Sequence, residues 1–394
     1  MNTMSAAPNL PSGPGRRSAT VGARRRVAAA VVDAIGEPFT LAELEIDAPR
    51  ADEALVRIDA VGVCHADIQA RTGALPVPAP LVAGHEGTGT VEEVGGSVTA
   101  MRPGDRVVLT FDSCGRCGRC RAGVPSQCDH FVSRNFTAGT REDGTARLRR
   151  GSDPVNGNFF GQSAFASYAL VNERNAVVVD SDLPPHLLAP FGCAVQTGAG
   201  SVLNVLAPAA TAPVVVIGAG AVGLSAVMTA ALEDRTVIAV DTRDSRLDLA
   251  LKVGATHVVN ASRDAADEAV RSILGGGAPY MLESSGSPAA LRDGVRALAT
   301  GGTIAVVGTA QVGATIPLDV MDLVNGSKRL VGVVEGASRP QELIPRLVAR
   351  AERGDLPVER FVTTFPLNDV AAWSKAAESG EVVKPVLLPA AEPA

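Results

Sequence analysis

An apolar run, PVVVIGAG (residues 213–220), passes straight into AVGLSAVMTAAL, so Gly218-Ala219-Gly220-Ala221-Val222-Gly223 closes a strand and opens a helix. The next apolar run, TVIAVD (residues 236–241), ends on Asp241, 18 residues after Gly223. A GxGxxG alone is weak, but this setting is that of a dinucleotide-binding strand–helix–strand unit. Gly218 permits the tight turn, Gly220 lets a pyrophosphate approach the backbone, and Gly223 allows close packing of helix on strand. The helix N-terminus then offers free amides to the phosphates. Asp241 accepts hydrogen bonds from the adenosine ribose and repels a 2′-phosphate, which favours NAD over NADP. Arg243 nearby keeps NADP open, and Arg246 is counted with the cofactor-binding residues. The plainer alternative is that the glycines are turn formers only.

The same alternation continues. TVIAVD is followed by SRLDLALKVG, and GTIAVVG (residues 302–308) closes the set. Strands buried on both faces and alternating with helices imply a parallel sheet with right-handed crossovers, a doubly wound α/β unit. From Val27 to about Asn172 the pattern differs. Short apolar runs such as ALVRIDAVGV (residues 54–63), GTVEEVGG (89–96) and DRVVLTF (105–111) are punctuated by Gly and Pro, as in a β-rich unit. After Pro340 a helical stretch, QELIPRLVARAERG, leads to a β-like run ending VVKPVLL, which is expected to return to the first unit.

The 394 residues suggest two or three domains at roughly 150 residues each. With 46% apolar and 20% charged residues the chain can fill a core, built from Ala, Val, Ile and Leu because only 13 residues are aromatic. The net charge of −6 argues against a general polyanion binder, so no nucleic acid partner is expected. No apolar run reaches the ~18 to 20 residues that cross a bilayer. The first 26 residues hold five arginines and no acid, and read as a disordered tail. Arg16-Arg17 as an export signal and Arg24 to Arg26 as an organelle address are the weaker readings, Met4 is an alternative start, and a cytoplasmic protein is expected.

Four of the six cysteines, Cys114, Cys117, Cys120 and Cys128, lie within fifteen residues on a Gly-rich loop. Loops that tight are poor disulfide frameworks. Four thiolates that converge without water make a closed tetrahedral site, hence a structural zinc, with an iron–sulfur cluster as the alternative. Cys64 in GVCHAD and Cys193 in FGCAVQTGAG are isolated, and GHEGTG places His85 beside Glu86. Spacing assigns these residues no partner. A lone buried cysteine is as a rule an inert small hydrophobe, and a lone histidine a satisfied core residue.

GVCHAD, GHEGTGTVEEVG, the four-cysteine loop, GAGAVGL and VVKPVLLP, in that order over residues 27–390, resemble the zinc-dependent medium-chain alcohol dehydrogenases. FFGQSAFASYAL, FGCAVQTGAGSVLNVL and EGASRPQELIPRLV are most similar to the aryl-alcohol (benzyl-alcohol) branch. The resemblance implies a GroES-like β-rich catalytic domain over residues 27–195 and 340–394, and a Rossmann NAD-binding domain over 196–339. It implies that Cys64, His85 and Cys193 hold a catalytic zinc with the fourth position open, so that two zincs are carried per chain. Glu86 matches the acid close behind that metal, and Asp67 the carboxylate that supports the ligating His. Thr197, Val222, Val307 and Gly308 match positions around the nicotinamide, with plain core packing the alternative for the two valines. His65 and Lys384 match positions where a basic side chain approaches the pyrophosphate.

Such an enzyme binds the alcohol oxygen to zinc, lowering its proton affinity, and passes hydride from the carbinol carbon to nicotinamide C4. The family commonly has Ser or Thr two residues after the first Cys ligand to relay the proton. Here the residue is Ala66, so His65 is expected to take the proton through ordered water. Phe159 and Phe160 match substrate-pocket positions and favour flat apolar substrates, while Thr110 and Phe111 are weaker pocket candidates and core packing is the alternative. The expected substrates are primary aryl or allylic alcohols and their aldehydes. A thiol-dependent formaldehyde dehydrogenase and a non-catalytic zinc- and nucleotide-binding protein are the competing readings, and a homodimer or homotetramer is implied.

Overall fold

The structure, a computed structural model, describes residues 24–389. The tail expected over residues 1–26 therefore lies mostly outside the described residues, but Arg25 and Arg26 are already part of the first strand, Arg25–Val32. Arg25 is held there by Glu92 and Glu93 and lies over the Tyr168 ring.

Three sheets form among the described residues. The first runs Leu81–Val82, Arg25–Val32, Thr40–Ile46, Leu148–Arg150, Asp153–Val155. The second runs Ala176–Val178, Arg106–Leu109, Glu86–Val94, Glu53–Gly62, Lys384–Leu388, Val362–Pro366, with Tyr168–Asn172 also on Glu53–Gly62. As expected, the C-terminal run returns to this β-rich unit: Val386 pairs with Gly62.

The third sheet is wholly parallel, in the order His257–Asn260, Val237–Asp241, Val214–Ile217, Ala278–Glu283, Leu298–Val306, Arg329–Gly332. This is the doubly wound arrangement, and its order reverses between Val214–Ile217 and Ala278–Glu283, where such sheets bind ligands. GTIAVVG does not close the set: Arg329–Gly332 adds a further strand outside it. That strand is missed because its burial is slight, so no continuous apolar run marks it.

Two large cores follow this division. One packs Phe165 and Trp373 among the Val, Leu and Ala of the first two sheets. The other joins Phe191 and Val195 to Val214, Val216 and Leu224 of the parallel sheet and its first helix, and to Ile344 and Leu347 of helix Pro340–Glu352. It fastens the two units together.

Candidate functional site

Strand register assembles the site. Gly62 pairs with Glu86, so Cys64, just after one strand, and His85, just before the next, come out side by side. Gly62 leaves room there for the buried carboxylate, since a Cβ would stand 2.0 Å from Glu86 Oε2. Cys64 caps helix His65–Thr72, its backbone N–H donating to Asp67 Oδ2 at 2.8 Å. Cys193 enters from the far side, at the start of helix Ala194–Gly200. The ligand atoms of Cys64, His85, Glu86 and Cys193 all lie within 4.8 Å of one another.

Asp67, fully buried, orients the imidazole. Its Oδ1 lies 3.0 Å from His85 Nδ1 and accepts from the Gly84 N–H at 2.8 Å. A carboxylate at Nδ1 keeps the proton there, which leaves the Nε2 lone pair for a metal. Nε2 is buried with no hydrogen-bond partner among the described residues, as a waiting ligand atom would be. Hydrogen bonding with Cys193 and the charges of Lys384 and His85 hold the Cys64 thiol well below its ordinary range, against burial, while the same hydrogen bond pushes Cys193 up. The pair is thus set up to share one proton, or to give it up to a cation. Two sulfurs and one imidazole fit zinc with one open position.

Lys384 departs from expectation. It is not turned toward a pyrophosphate but buried, its Nζ donating to Glu86 Oε1 at 2.8 Å and to Val63 O at 3.1 Å. The pairing of Lys384–Leu388 with the end of Glu53–Gly62 puts it behind the ligand cluster. Burial pushes the Glu86 carboxyl up to about 7 even against this ammonium.

Phe159 and Phe160 also need correction as pocket residues. Phe159 is fully buried in the β-rich core, edge-on to the His85 ring at 5.5 Å. Phe160, held at φ 51°, stacks on the same imidazole at 4.3 Å and 17°, and the two phenylalanine rings touch each other edge-on at 4.9 Å. Both rings therefore fix the imidazole plane rather than line an open pocket. Thr110 is likewise occupied, its Oγ1 accepting from Gln196 Nε2 at 2.6 Å, and Phe111 is core.

The four-cysteine loop folds on itself. Cys114 and Cys120 sulfurs are 3.9 Å apart, and those of Cys117 and Cys128 4.0 Å. Disulfide sulfurs stand ~2.05 Å apart, whereas Zn–S bonds of about 2.3 Å put tetrahedral neighbours roughly 3.8 Å apart. Backbone N–H groups of Cys114, Cys117, Cys120 and His130 donate to these sulfurs, and those of Cys120 and Asp129 pull Cys117 down to about 6. The donor set and spacing suit one structural zinc.

On the parallel sheet, a Cβ on Gly220 would meet nothing within 4 Å, while one on Gly223 would stand 1.7 Å from Gly218 O. The first leaves room for a ligand and the second locks helix to strand. Asp241 ends its strand with Oδ2 accepting from the Ala219 N–H at 2.7 Å. Beside it a cavity of about 330 Å³, lined by Gly218, Thr242, Ala261 and Val270, offers a slot for an apolar base. Arg246 is not aimed there. Its guanidinium donates to Gly380 O and Val382 O, and Arg243 donates to Ser379 O, so both are committed to the C-terminal segment. Val222 and Val307 are half-buried, and His65 is exposed at the first turn of its helix.

Two residues had no role in the sequence reading. Gln69 is buried, with Nε2 donating to Thr309 O at 3.3 Å, 240 residues away, and Oε1 without a hydrogen-bond partner among the described residues. Glu335 is buried, with Oε1 3.6 Å from Cys193 Sγ and Oε2 accepting from Thr197 Oγ1 at 3.3 Å; burial pushes its carboxyl up to about 7. Gln69 lies one helical turn beyond His65 and so shares its face, a signal within reach of the sequence. Glu335 meets its partners only through the tertiary fold.

Residues 50–181 match the sequence profile of the alcohol dehydrogenase GroES-like domain, and residues 221–352 that of the zinc-binding dehydrogenases. A geraniol dehydrogenase from Castellaniella defragrans is 40% identical over 91% of this chain and 97% of that protein. The crystal structure of an alcohol dehydrogenase zinc-binding domain protein from Burkholderia ambifaria superposes with a TM-score of 0.90 at 44% identity, covering 93% of this chain and 99% of that one. That of a benzyl alcohol dehydrogenase from Acinetobacter calcoaceticus gives 0.89 at 42% identity, covering 93% and 100%.

Proposed function

This chain belongs to the zinc-dependent medium-chain alcohol dehydrogenase family, and from that membership we propose that it interconverts primary aryl or allylic alcohols and their aldehydes with NAD. The observation that carries the proposal is the convergence of Cys64, His85 and Cys193, with Glu86, within 4.8 Å of one another, and a buried His85 Nε2 that has no hydrogen-bond partner among the described residues. These three residues would hold the catalytic zinc, which as a Lewis acid supplies the acidity an alcohol hydroxyl lacks. Cys114, Cys117, Cys120 and Cys128 would hold the structural ion.

The chain's own residues do the rest. Asp67 fixes the tautomer and direction of His85, and Phe159 and Phe160 hold the ring plane. Gly218, Gly220 and Gly223 seat the pyrophosphate on the N-terminus of helix Ala221–Ala230, and Asp241 takes the adenosine ribose. NAD is preferred to NADP because Asp241 sits at the strand end while Arg243, the side chain that would welcome a 2′-phosphate, is spent on Ser379 O. Thr197, Val222 and Val307 flank the place of the nicotinamide. Ala66 carries no hydroxyl, so His65, exposed on the first turn, collects the proton through solvent. The preference for an unsaturated carbinol neighbour rests on relatives named for geraniol and benzyl alcohol, both of which have it.

The domain division that suits this reading is 27–195 with 340–394 against 196–339, in a cytoplasmic protein; no helix among the described residues is long and apolar enough to cross a membrane. Self-association as a dimer or tetramer is supported by exposed apolar side chains in this part of the chain: Val331 on the edge strand Arg329–Gly332, Val334 just after it, and Val320, Met321 and Val324 on the preceding helix Val320–Asn325. The test is a substrate panel followed by nicotinamide absorbance. Benzyl and allylic alcohols should turn over with NAD at least about tenfold better, in kcat/KM, than saturated short alcohols or NADP, a difference of ~1.4 kcal/mol. Formaldehyde oxidation appearing only with an added thiol, and no reaction with benzyl alcohol, would replace this reading by the thiol-adduct one.

A further inference from the structure

We propose that Glu335 is a positioning residue that braces the Cys193–Thr197 segment, and with it the Cys193 sulfur, against the nucleotide-binding sheet. The inference rests on the reading of Cys193 as a zinc ligand.

Glu335 follows Arg329–Gly332, the edge strand of the parallel sheet, yet its carboxylate ends on a helix start 142 residues away in sequence. Oε2 accepts from Gln196 Nε2 at 3.2 Å and from Thr197 Oγ1 at 3.3 Å, and Oε1 stands 3.6 Å from Cys193 Sγ. One carboxylate thus hydrogen-bonds Gln196 and Thr197 and lies against the Cys193 sulfur that precedes them. Gln196 is in turn pinned by Thr110 Oγ1 and by the Ser338 hydroxyl, which donates to its Oε1 at 3.0 Å.

The backbone that presents this carboxylate is unusual. Glu335, Gly336 and Ala337 have φ of 49°, 64° and 48°, three successive residues in the left-handed region, two of them bearing side chains. Such a conformation persists only where the surroundings over-determine it. They do: a Cβ on Gly336 would stand 2.4 Å from Gln196 O and 2.9 Å from Gly200 Cα, and Asn204 Nδ2 donates to Gly336 O at 3.0 Å. The loop is wedged into the helix that begins at Cys193.

The consequence is a rigid tie across the two units. The sheet that presents the dinucleotide cleft and the sulfur that would grip the ion are held in one frame, so the two reacting carbons can be aligned without a fresh search. A buried carboxylate costs free energy unless it is hydrogen-bonded, and this one finds its donors on Gln196 and Thr197, in the segment that carries Cys193.

Glu335→Ala and Glu335→Gln separate the roles, because the amide keeps an acceptor for Gln196 and Thr197 and alanine keeps none. With cobalt(II) exchanged for zinc, Glu335→Ala should shift the cobalt–thiolate absorption and lower kcat for benzyl alcohol about 10- to 100-fold while KM moves far less. Glu335→Gln should restore most of both. An alanine variant with an unmoved cobalt spectrum and kcat within about twofold of the parent overturns the brace, as does a Gln variant no better than Ala. If alanine does not fold, Thr197→Val, which removes one donor and leaves the loop alone, must shift the same band, and an unmoved band overturns the brace. Zinc is counted first on the unaltered protein. One ion per chain there would overturn the metal assignment, whereas two ions and an unmoved alanine spectrum would overturn the brace alone.

Discussion

Asp67 serves three donors with two oxygens: the Cys64 and Gly84 backbone N–H groups and the His85 ring nitrogen. It therefore sets the backbone of one proposed ligand, Cys64, and the tautomer of a second, His85, at once. Asn at this position keeps the volume but turns one acceptor into a donor facing N–H groups. Partners of this kind are worth about 10- to 100-fold in metal affinity or activity, so Asp67→Asn should lose that much in kcat/KM or in zinc retention during dialysis. Loss below about twofold in both would mean that His85 is oriented by its aromatic neighbours alone. Lys384 makes the opposite point: a lysine beside a cofactor and a lysine beneath a metal cluster look alike in the sequence, and only its pairing with Glu86, 298 residues away, tells them apart.

At the scale of elements, the turn from Val214–Ile217 into Ala221–Ala230 divides its glycines by task. Gly223 touches the backbone of Gly218, and Gly220 faces open space. Gly223→Ala must push helix from strand and should cost stability, about 1 to 3 kcal/mol, as overpacking does. Gly220→Ala should melt like the parent yet bind NADH at least about tenfold more weakly, ~1.4 kcal/mol, as measured by titration of nicotinamide fluorescence. Equal affinity in the Gly220 variant would place the pyrophosphate elsewhere. The pairing of Gly62 with Glu86 acts in the same way for the ligand cluster, since a slip of one residue would turn His85 to the other face of its sheet.

For the whole molecule, what could be read in advance was what is local. The four sulfurs of the loop lie within fifteen residues and the dinucleotide turn within six, so spacing exposed both. The doubly wound sheet was legible from its buried strands, and its edge Arg329–Gly332 was not, because a half-exposed strand has no continuous apolar signature. Cys64, His85 and Cys193 became a set through resemblance, since their convergence depends on strand register and on a helix start far along the chain. Core packing of Phe159 and Phe160 was open as an alternative in the sequence, but their contact with His85 and the place of Glu335 were not legible, because packing between distant segments leaves no periodicity to read. The central claim is that the molecule carries an open-sided ion on Cys64, His85 and Cys193 in addition to the closed one on four thiolates. Counting zinc by elemental analysis, in the parent and in a folded His85→Ala variant, tests it most directly. The account predicts two ions per chain falling to one, with the four-cysteine ion retained. A single ion in the active parent, or two still present after His85 is removed, would contradict it.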